Sequence, residues 1–189
     1  MTGRSLYIRL AWFIELVVSL YSIFPVFMRR GLYSFFCSSH WFLAKIIRYL
    51  SFRTLCKRCG SIVNIGAGVV VKNWDKLEIG NRVNIHEYCF IDAIGEITIE
   101  DDVSIAHHTS LLSFEHGWSE IDKPIKYNAL TLKPVTIKSD VWVGCGVRIL
   151  AGTTIGTRTI IAAGAVLPSG EYSSGVYGGV PARVLKVLD

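Results

Sequence analysis

Residues 137–167 read IKSDVWVGCGVRILAGTTIGTRTIIAAGAVL, and this stretch decides the fold. An aliphatic residue recurs every six positions without a break, and small or branched residues occupy most of the positions four places later. An amphipathic helix would place its apolar residues three and four positions apart, so this spacing excludes a helix. Six residues are enough for a short strand and a tight turn, in which glycine supplies backbone freedom. The aliphatic positions are Ile137, Val143, Ile149, Ile155, Ile161 and Leu167.

The same spacing occurs earlier in the chain, from residue 62 onward. Three six-residue units make one triangular coil, so residues 18 positions apart stack on each other. The step from Ile79 to Ile99 is 20 residues, which predicts two extra residues at a corner. Because one coil cannot bury its own core, the coils have to stack. The pattern therefore predicts a parallel β-helix over residues 61–189, interrupted at residues 112–134.

Residues 1–60 have a different composition, with nine Lys or Arg side chains and Glu15 as the one acid. The stretch Leu10–Met28 is almost wholly apolar and long enough to span a bilayer, but Glu15 is costly at the bilayer centre. Aromatic residues mixed with basic ones at 32–53 are typical of helices that lie in the membrane interface. Residues 1–60 therefore predict an α-helical extension that docks on a membrane, covers the body or a partner subunit, or spans the membrane.

Composition excludes several classes of protein. A chain of 189 residues, 51% hydrophobic and 19% charged, fits one compact domain with an appendage and not a disordered protein. Residues 1–60 carry a net charge of +8, whereas residues 61–189, with eleven Lys or Arg and fourteen acids, carry −3, so the overall charge of +5 is not spread over the body and we expect no nucleic-acid partner. The pair Cys56 and Cys59 has no second Cys or His pair at zinc-ligand spacing, which favours two reduced cysteines near a helix end and no metal.

The interruption at residues 112–134 contains Glu115-His116-Gly117-Trp118. A long excursion from a regular scaffold is usually functional, and catalytic side chains concentrate on such loops. A histidine can accept a proton near neutral pH, so His116 is the candidate general base. Trp118 is a candidate for stacking on a sugar face, or it pins the loop.

The chain resembles the left-handed parallel β-helix acyltransferases built from hexapeptide repeats. This family includes galactoside and maltose O-acetyltransferases and O-acetyltransferases of bacterial surface polysaccharides. The resemblance covers about residues 62–189, and His116 matches the family's catalytic histidine. It implies an all-β, left-handed β-helix and a homotrimer with active sites between subunits. The motifs that carry it are Ile105-Ala106-His107-His108-Thr109, Val141-Trp142-Val143-Gly144 and Gly178-Gly179-Val180-Pro181-Ala182-Arg183-Val184-Leu185-Lys186.

The resemblance also implies roles for further residues. The candidates for acceptor binding are Asp92, Asn84, Trp142, Trp118 and Glu115, the last as a residue that orients His116. The candidates for binding coenzyme A are Gly144, Cys145, Ala163, Arg183 and Lys186, with the Cys145 N–H as oxyanion donor. A lysine of many relatives is missing from Leu167-Pro168-Ser169-Gly170, and Lys138 or Arg158 is a possible replacement.

The resemblance implies, and His116 agrees with, an acetyl-CoA-dependent O-acetyltransferase that transfers acetyl directly to a sugar hydroxyl, in bacterial cell-surface polysaccharide synthesis. The extension predicts a cytoplasmic protein, peripheral at the inner face of the membrane, with a lipid-linked glycan as acceptor. Three alternatives stay open: an acetyltransferase for an antibiotic or another small molecule, a zinc enzyme like the γ-carbonic anhydrases, and a non-catalytic trimeric scaffold.

Overall fold

The computed structural model describes residues 3–188, with side chains described from residue 10 onward. Within that range three helices precede the β-structure: α1 at Gly3–Ser22, α2 at Val26–Phe36 and α3 at Phe42–Leu55. The apolar stretch Leu10–Met28 is broken, because α1 ends before Pro25 and Pro25 caps the N-terminus of α2. In the described part of the chain no single helix is long and apolar enough to cross a membrane. Leu10–Ser22 of α1 and Val26–Phe36 of α2 are long and apolar enough only when they are taken together, and the two helices are bent by 113° relative to each other.

Within residues 58–188 the chain forms twenty short strands. Two 3-10 turns lie among them, at Trp74–Lys76 and Ile125–Tyr127. In chain order the strands are β1 Arg58–Cys59, β2 Asn64–Ile65, β3 Val70–Lys72, β4 Leu77–Ile79, β5 Asn84–Ile85, β6 Phe90–Asp92, β7 Ile97–Ile99, β8 Ser104–Ile105, β9 Ser110–Leu112, β10 Phe114–His116, β11 Leu130–Leu132, β12 Val135–Ile137, β13 Val141–Val143, β14 Arg148–Ile149, β15 Thr153–Ile155, β16 Thr159–Ile161, β17 Val166–Leu167, β18 Gly170–Tyr172, β19 Gly175–Gly178 and β20 Arg183–Val187.

Eighteen of these strands stack into three faces of a solenoid. Face 1 holds β1, β4, β7, β12, β15 and β18; face 2 holds β2, β5, β8, β13, β16, β19 and β20; face 3 holds β3, β6, β9, β14 and β17. The pairs within the faces are parallel, apart from the closing pair β19–β20. The remaining strands, β10 and β11, form an antiparallel hairpin outside the faces. The predicted parallel β-helix with an N-terminal helical extension is confirmed.

The aliphatic positions stack in register inside the solenoid. Ile99 pairs with Ile79 on one side and Ile137 on the other, and all three side chains are fully buried. The two predicted extra residues lie at the corner between faces 3 and 1. In this coil Ile91 on face 3 is followed six positions later by Ile97 on face 1. In a later coil the residues in the same register, Ile149 and Thr153, are only four positions apart. The six-residue pattern therefore predicted the inward ladder correctly.

The helical extension closes the open end of the solenoid. The Phe52 side chain of α3 is fully buried and packs edge-on against the Trp74 ring, with ring centroids 4.9 Å apart. The buried guanidinium of Arg48 donates from Nε to the Ile65 carbonyl at 3.0 Å and from Nη1 to the Ser39 carbonyl at 2.6 Å. An end coil needs such a cover, because its aliphatic residues have no further coil to stack on. At least one basic residue of the extension is therefore structural.

The one acid of the extension is also paired. Both carboxylate oxygens of Glu15 on α1 accept from Nη2 of Arg53 on α3 at 2.9 Å. Burial raises the pKa of the Cys56 thiol, directly after α3, well above its usual range, and it raises the pKa of the Cys59 thiol on β1 to about 12. Both cysteines are free. Among the described residues no group of three His, Cys, Asp or Glu side chains is placed to hold a metal ion.

Candidate functional site

His116 lies on the excursion hairpin, which we define as β10, β11 and the connecting residues 117–129. β10 pairs with β11 so that His116 faces Leu130 in the register. The imidazole is exposed and lies edge-on to the Phe114 ring, with ring centroids 6.2 Å apart. No hydrogen bond joins it to any other residue in the described range. His116 is therefore held by a β-ladder through its backbone while its side chain stays open to an incoming group.

Glu115 contacts Lys133 and not His116. The Lys133 ammonium lies 3.3 Å from Oε2 of Glu115, at the point where the excursion returns to the solenoid. Adjacent residues of a strand point to opposite faces, which explains why the two side chains diverge. The structure shows no contact through which Glu115 would orient His116. Glu115 instead forms an ion pair with Lys133, the residue that follows β11 where the hairpin rejoins the solenoid.

The excursion hairpin has an internal anchor that the sequence analysis did not identify. The buried side chain of Asn128 accepts from the Glu120 N–H at 2.8 Å and donates to the carbonyls of Lys123 and Pro124 at 3.3 Å. The Gly117 N–H donates to the Ala129 carbonyl at 3.0 Å and continues the ladder beyond His116. Nothing in the sequence distinguishes Asn128 from an exposed loop asparagine, so only the tertiary structure shows that it is buried and anchors the loop.

Asp92 is buried at the end of β6, at the corner between faces 3 and 1. Its Oδ1 accepts from the Asn73 side-chain amide at 2.7 Å. Its carbonyl accepts from Oγ of Ser113 at 2.8 Å, immediately before the excursion hairpin begins. Asp92 therefore belongs to the corner from which the hairpin emerges, and one of its carboxylate oxygens is already engaged in supporting that corner.

Gly144, Cys145 and Ala163 come together at the corner between faces 2 and 3, which we call the small-residue corner. The Gly144 N–H donates to the Ile161 carbonyl at 2.8 Å, and the Cys145 carbonyl accepts from the Gly164 N–H at 2.8 Å. Ala163 is exposed. The Cys145 N–H has no acceptor among the described residues. The corner thus offers a narrow surface of small residues with a free N–H beside it.

Arg183 lies one coil beyond the small-residue corner. Residues 179–182 turn back along the top coil, with the Ala182 N–H donating to the Val166 carbonyl at 2.8 Å. Arg183 then begins β20 opposite Gly178, with an exposed side chain whose Nη1 donates to the Ala182 carbonyl. Lys186 lies three residues further along β20 and pairs with Val176 in the register. The structure places Arg183 near the small-residue corner and Lys186 farther along face 2.

The two proposed replacements for the missing lysine are both engaged elsewhere. The Lys138 ammonium lies 3.0 Å from a Glu100 carboxylate oxygen, and the Arg158 guanidinium lies 3.2 Å from Asp140. Both pairs lie at the corner between faces 1 and 2, away from the small-residue corner. Neither Lys138 nor Arg158 takes the place of that lysine within one chain.

Asn84 and Trp142 lie on face 2, in one outward column two coils apart. Asn84 lines an apolar groove of about 660 Å³ between α1, α3 and the first coils, beside Phe42 and Lys45. Trp142 is exposed on β13, and Trp118 is exposed in the excursion hairpin. Within one chain, therefore, His116 and Asp92 belong to one corner, whereas Trp142, Asn84 and the small-residue corner belong to another side of the solenoid.

Comparisons with known proteins agree with this architecture. The family model for the bacterial transferase hexapeptide (six repeats) matches residues 134–169. The chain is 29% identical over 113 residues to a putative lipopolysaccharide biosynthesis O-acetyl transferase of Escherichia coli, covering 56% of this chain and 58% of that protein. It is 32% identical over 94 residues to the galactoside O-acetyltransferase of the same species, covering 49% of this chain and 45% of that protein.

A solved structure extends the likeness beyond the repeats. A hexapeptide-repeat acetyltransferase from Vibrio cholerae, determined with acetyl coenzyme A, aligns with a TM-score of 0.75 at 26% identity over 85% of each chain. The fold and the repeats define a β-solenoid protein built from hexapeptide repeats. The resemblance to the hexapeptide-repeat acyltransferases, among them the galactoside enzymes, is confirmed. The chain spans about half the length of the curated relatives it matches.

Proposed function

We propose that this protein is an acetyl-CoA-dependent O-acetyltransferase that transfers an acetyl group directly to a sugar hydroxyl, with His116 as the general base. One observation carries the proposal: His116 is exposed and free of hydrogen bonds in the described chain, on the hairpin that leaves an otherwise regular solenoid. An exposed imidazole held by a β-ladder is suited to accept a proton from a bound substrate.

The chemistry needs a base because a sugar hydroxyl is a poor nucleophile. A neutral imidazole within hydrogen-bond reach removes the hydroxyl proton as the oxygen attacks the thioester carbonyl, and such catalysis is typically worth about 10²- to 10⁴-fold. The carbon–sulfur bond of the tetrahedral adduct then breaks, coenzyme A leaves as the thiol with the proton held by His116, and the sugar keeps the acetyl group. During the addition the carbonyl oxygen gains negative charge. A backbone N–H fixed on a rigid turn stabilises such a charge, and the free Cys145 N–H is the group we assign to it.

The acyl donor fits the small-residue corner. A thioester arm is narrow and needs a surface without large side chains, and the exposed Ala163 beside Gly144 provides one. A Cβ atom placed on Gly164 would meet no atom within 4 Å, so space outside this corner is open. The exposed Arg183 one coil away is suited to a phosphate of coenzyme A, because guanidinium groups bind phosphate through two parallel hydrogen bonds.

We infer that the working protein is a homotrimer. His116 and the small-residue corner lie on different sides of one chain, so a complete site requires a second copy to bring them together. Exposed apolar residues on the excursion hairpin support this arrangement, since a contiguous apolar surface normally marks an interface. These residues are Trp118, Ile121, Ile125, Tyr127, Leu130 and Leu132.

The acceptor we propose is a sugar of a bacterial cell-surface polysaccharide or its lipid-linked precursor, at the cytoplasmic face of the membrane. The similarity to the putative lipopolysaccharide biosynthesis O-acetyl transferase of Escherichia coli supports this choice. Trp118 on the hairpin and Trp142 on face 2 are exposed aromatic rings of the kind that stack on sugars. No observation favours an antibiotic acceptor, a zinc site or a purely structural role over this one.

The test is release of free coenzyme A from acetyl-CoA with a panel of sugars and lipid-linked glycans. The wild type is compared with His116→Ala, and His40→Ala serves as the matched control, because His40 is an exposed histidine between α2 and α3, outside the excursion hairpin. We expect acceptor-dependent release to fall by about 10²-fold or more in His116→Ala and to stay unchanged in His40→Ala. Release that His116→Ala leaves intact would remove His116 from the mechanism.

A further inference from the structure

The outer side of α1 carries an unbroken apolar stripe. Trp12, Leu16 and Leu20 follow one another at four-residue steps, so they lie on the same face of the helix. All three are exposed, Trp12 to 72%. Exposed apolar side chains follow in the bend and in α2, where Ile23 is 77% exposed and Phe27 is 74% exposed. The helix thus presents its apolar outer face to solvent over its whole described length.

The inner side of α1 is apolar as well. Val18 and Tyr21 are buried and pack with Leu50 of α3. A helix on the surface of a soluble protein turns a polar face to solvent, whereas α1 exposes Trp12, Leu16 and Leu20 there. The exposed stripe of α1 therefore has a function or a partner outside this chain.

The charge around the stripe is positive. Arg30 lies three residues after Phe27 on α2, is exposed and has no acidic partner in the described chain. Lys45 of α3 is exposed and lines the groove beside Phe13. The acid that could balance these charges, Glu15, is already held by Arg53. The apolar stripe is thus accompanied by free cations and by no free acid of residues 10–60.

We propose that this surface docks the protein on an anionic lipid bilayer. We define the cap surface as Trp12, Leu16, Leu20, Ile23 and Phe27 together with Arg30 and Lys45. Helices with an apolar face and neighbouring cations lie in the plane of the interface, with the apolar side chains among the acyl chains and the cations at the headgroups. The 113° bend between α1 and α2 suits helices that lie on a surface.

A second copy of this chain fits the cap surface less well than a membrane does. A two-fold contact would pair the same surface with itself and bring Arg30 and Lys45 of both copies together. Like charges across an interface oppose association, whereas anionic headgroups attract both cations. The proposal is independent of the acetyltransferase activity, because binding to vesicles needs neither acetyl-CoA nor a sugar.

The test is sedimentation with lipid vesicles. Full-length protein is mixed with vesicles of phosphatidylcholine alone or with added phosphatidylglycerol, and the bound fraction is measured. We expect clear binding to the anionic vesicles, and a loss of at least tenfold in the double variant Ile23→Glu, Phe27→Glu. Arg30→Gln and Lys45→Gln should each weaken binding to the anionic vesicles by about fivefold and leave binding to neutral vesicles unchanged.

The matched control is Val187→Glu, because Val187 is 65% exposed on β20, at the end of the solenoid opposite the cap surface, and belongs to no site or interface described above. This variant should bind vesicles like the wild type, and circular dichroism should show the same fold for all variants. Absence of wild-type binding to anionic vesicles would overturn the proposal, as would equal loss in Val187→Glu. If the double variant binds vesicles normally but changes the oligomeric state in sedimentation equilibrium, a second copy and not a membrane covers this surface.

Discussion

The backbone nitrogen of Ala163 occupies the space in which a side chain on Gly144 would lie. A Cβ atom on Gly144 would be 2.6 Å from that nitrogen and 2.8 Å from the carbonyl oxygen of Ile161. Both neighbours are backbone atoms of the next coil, so neither can rotate aside. Glycine at position 144 is therefore what allows these two coils to stack at the small-residue corner, where we place the acyl donor.

Replacing this glycine should loosen the corner. We expect Gly144→Ala to lower the free energy of unfolding by about 1–3 kcal/mol, as overpacking does elsewhere, and to weaken coenzyme A binding. Denaturant unfolding and calorimetric titration measure the two effects. Gly31→Ala in α2 is the control, because a Cβ atom there meets nothing within 4 Å. It should be neutral or stabilising, and an equal loss in both variants would contradict the steric argument.

Asn128 should control the order of the excursion hairpin. Asn128→Ala removes the acceptor of the Glu120 N–H and the donor to two loop carbonyls, and a buried group left unpaired costs about 1–3 kcal/mol. We expect faster limited proteolysis within residues 117–129 and a lower rate of acetyl transfer. Asp122→Ala, an exposed residue of the same loop, should change neither. Proteolysis at the wild-type rate in Asn128→Ala would show that the loop has another anchor.

Stability should fall at alkaline pH because of the half-buried thiol of Cys59. Burial raises the pKa of Cys59 to about 12 from its ordinary value of 9.0. As the pH rises from about 9 toward 12, the unfolded chain loses the Cys59 proton while the folded chain keeps it, so the free energy of unfolding decreases. The stabilisation that the protonated Cys59 thiol contributes is fully present below pH 9.

The measurement is urea unfolding under reducing conditions from pH 7 to pH 10.5. Lysines and tyrosines also titrate in this range, so the quantity to compare is the slope of stability against pH in the wild type and in Cys59→Ala. The variant should show the shallower decline above about pH 9. Identical slopes would mean that the Cys59 thiol is accessible in the folded protein.

Active sites formed between copies should be recoverable from two inactive variants. His116→Ala removes the base, and Ala163→Trp blocks the small-residue corner at an exposed position. If His116 of one subunit works with the corner of its neighbour, random mixing in a ring leaves about one site in four with both parts intact. We expect co-expression of the two variants to restore about that fraction of the wild-type acetyl transfer, whereas each variant alone stays inactive.

The control for this experiment is mixing the two purified variants without denaturation, which allows no exchange of subunits in a stable trimer. Co-expressed variants that stay inactive, although mass analysis shows mixed oligomers, would place His116 and the corner in the same subunit. A monomer in sedimentation velocity would contradict the trimer itself.

The solenoid could be predicted from the sequence because its signal is local. Each inward aliphatic residue and its turn lie within six positions, so the burial of Ile137 or Ile155 follows from spacing alone. The extra residues before Ile97 were predicted for the same reason, as a change in the period. His116 was identified by its place in the single large break in that period, combined with a resemblance to known enzymes. Its role remains a prediction.

The contacts of the site residues could not be predicted, because they join parts of the chain far apart in sequence. Nothing near Glu115 indicates that Lys133, eighteen positions later, takes its carboxylate. The sequence placed Asn84 among the acceptor ligands, whereas the packing of α1 and α3 puts it in an apolar groove on face 2. The basic residues of the extension suggested a charged surface, yet Arg48 is buried on backbone carbonyls.

By itself the sequence determined the repeating unit, the direction of its aliphatic residues, the place of the excursion and the contrast between a basic extension and a mildly acidic body. These properties depend on side chains within one or two turns of each other. The tertiary structure alone decided which charges are paired, which face of α1 stays uncovered, and that His116 and the small-residue corner lie on different sides of one chain. These properties depend on how many residues each coil contains and on how the helices cap the first coil, so they arise only when distant segments pack together.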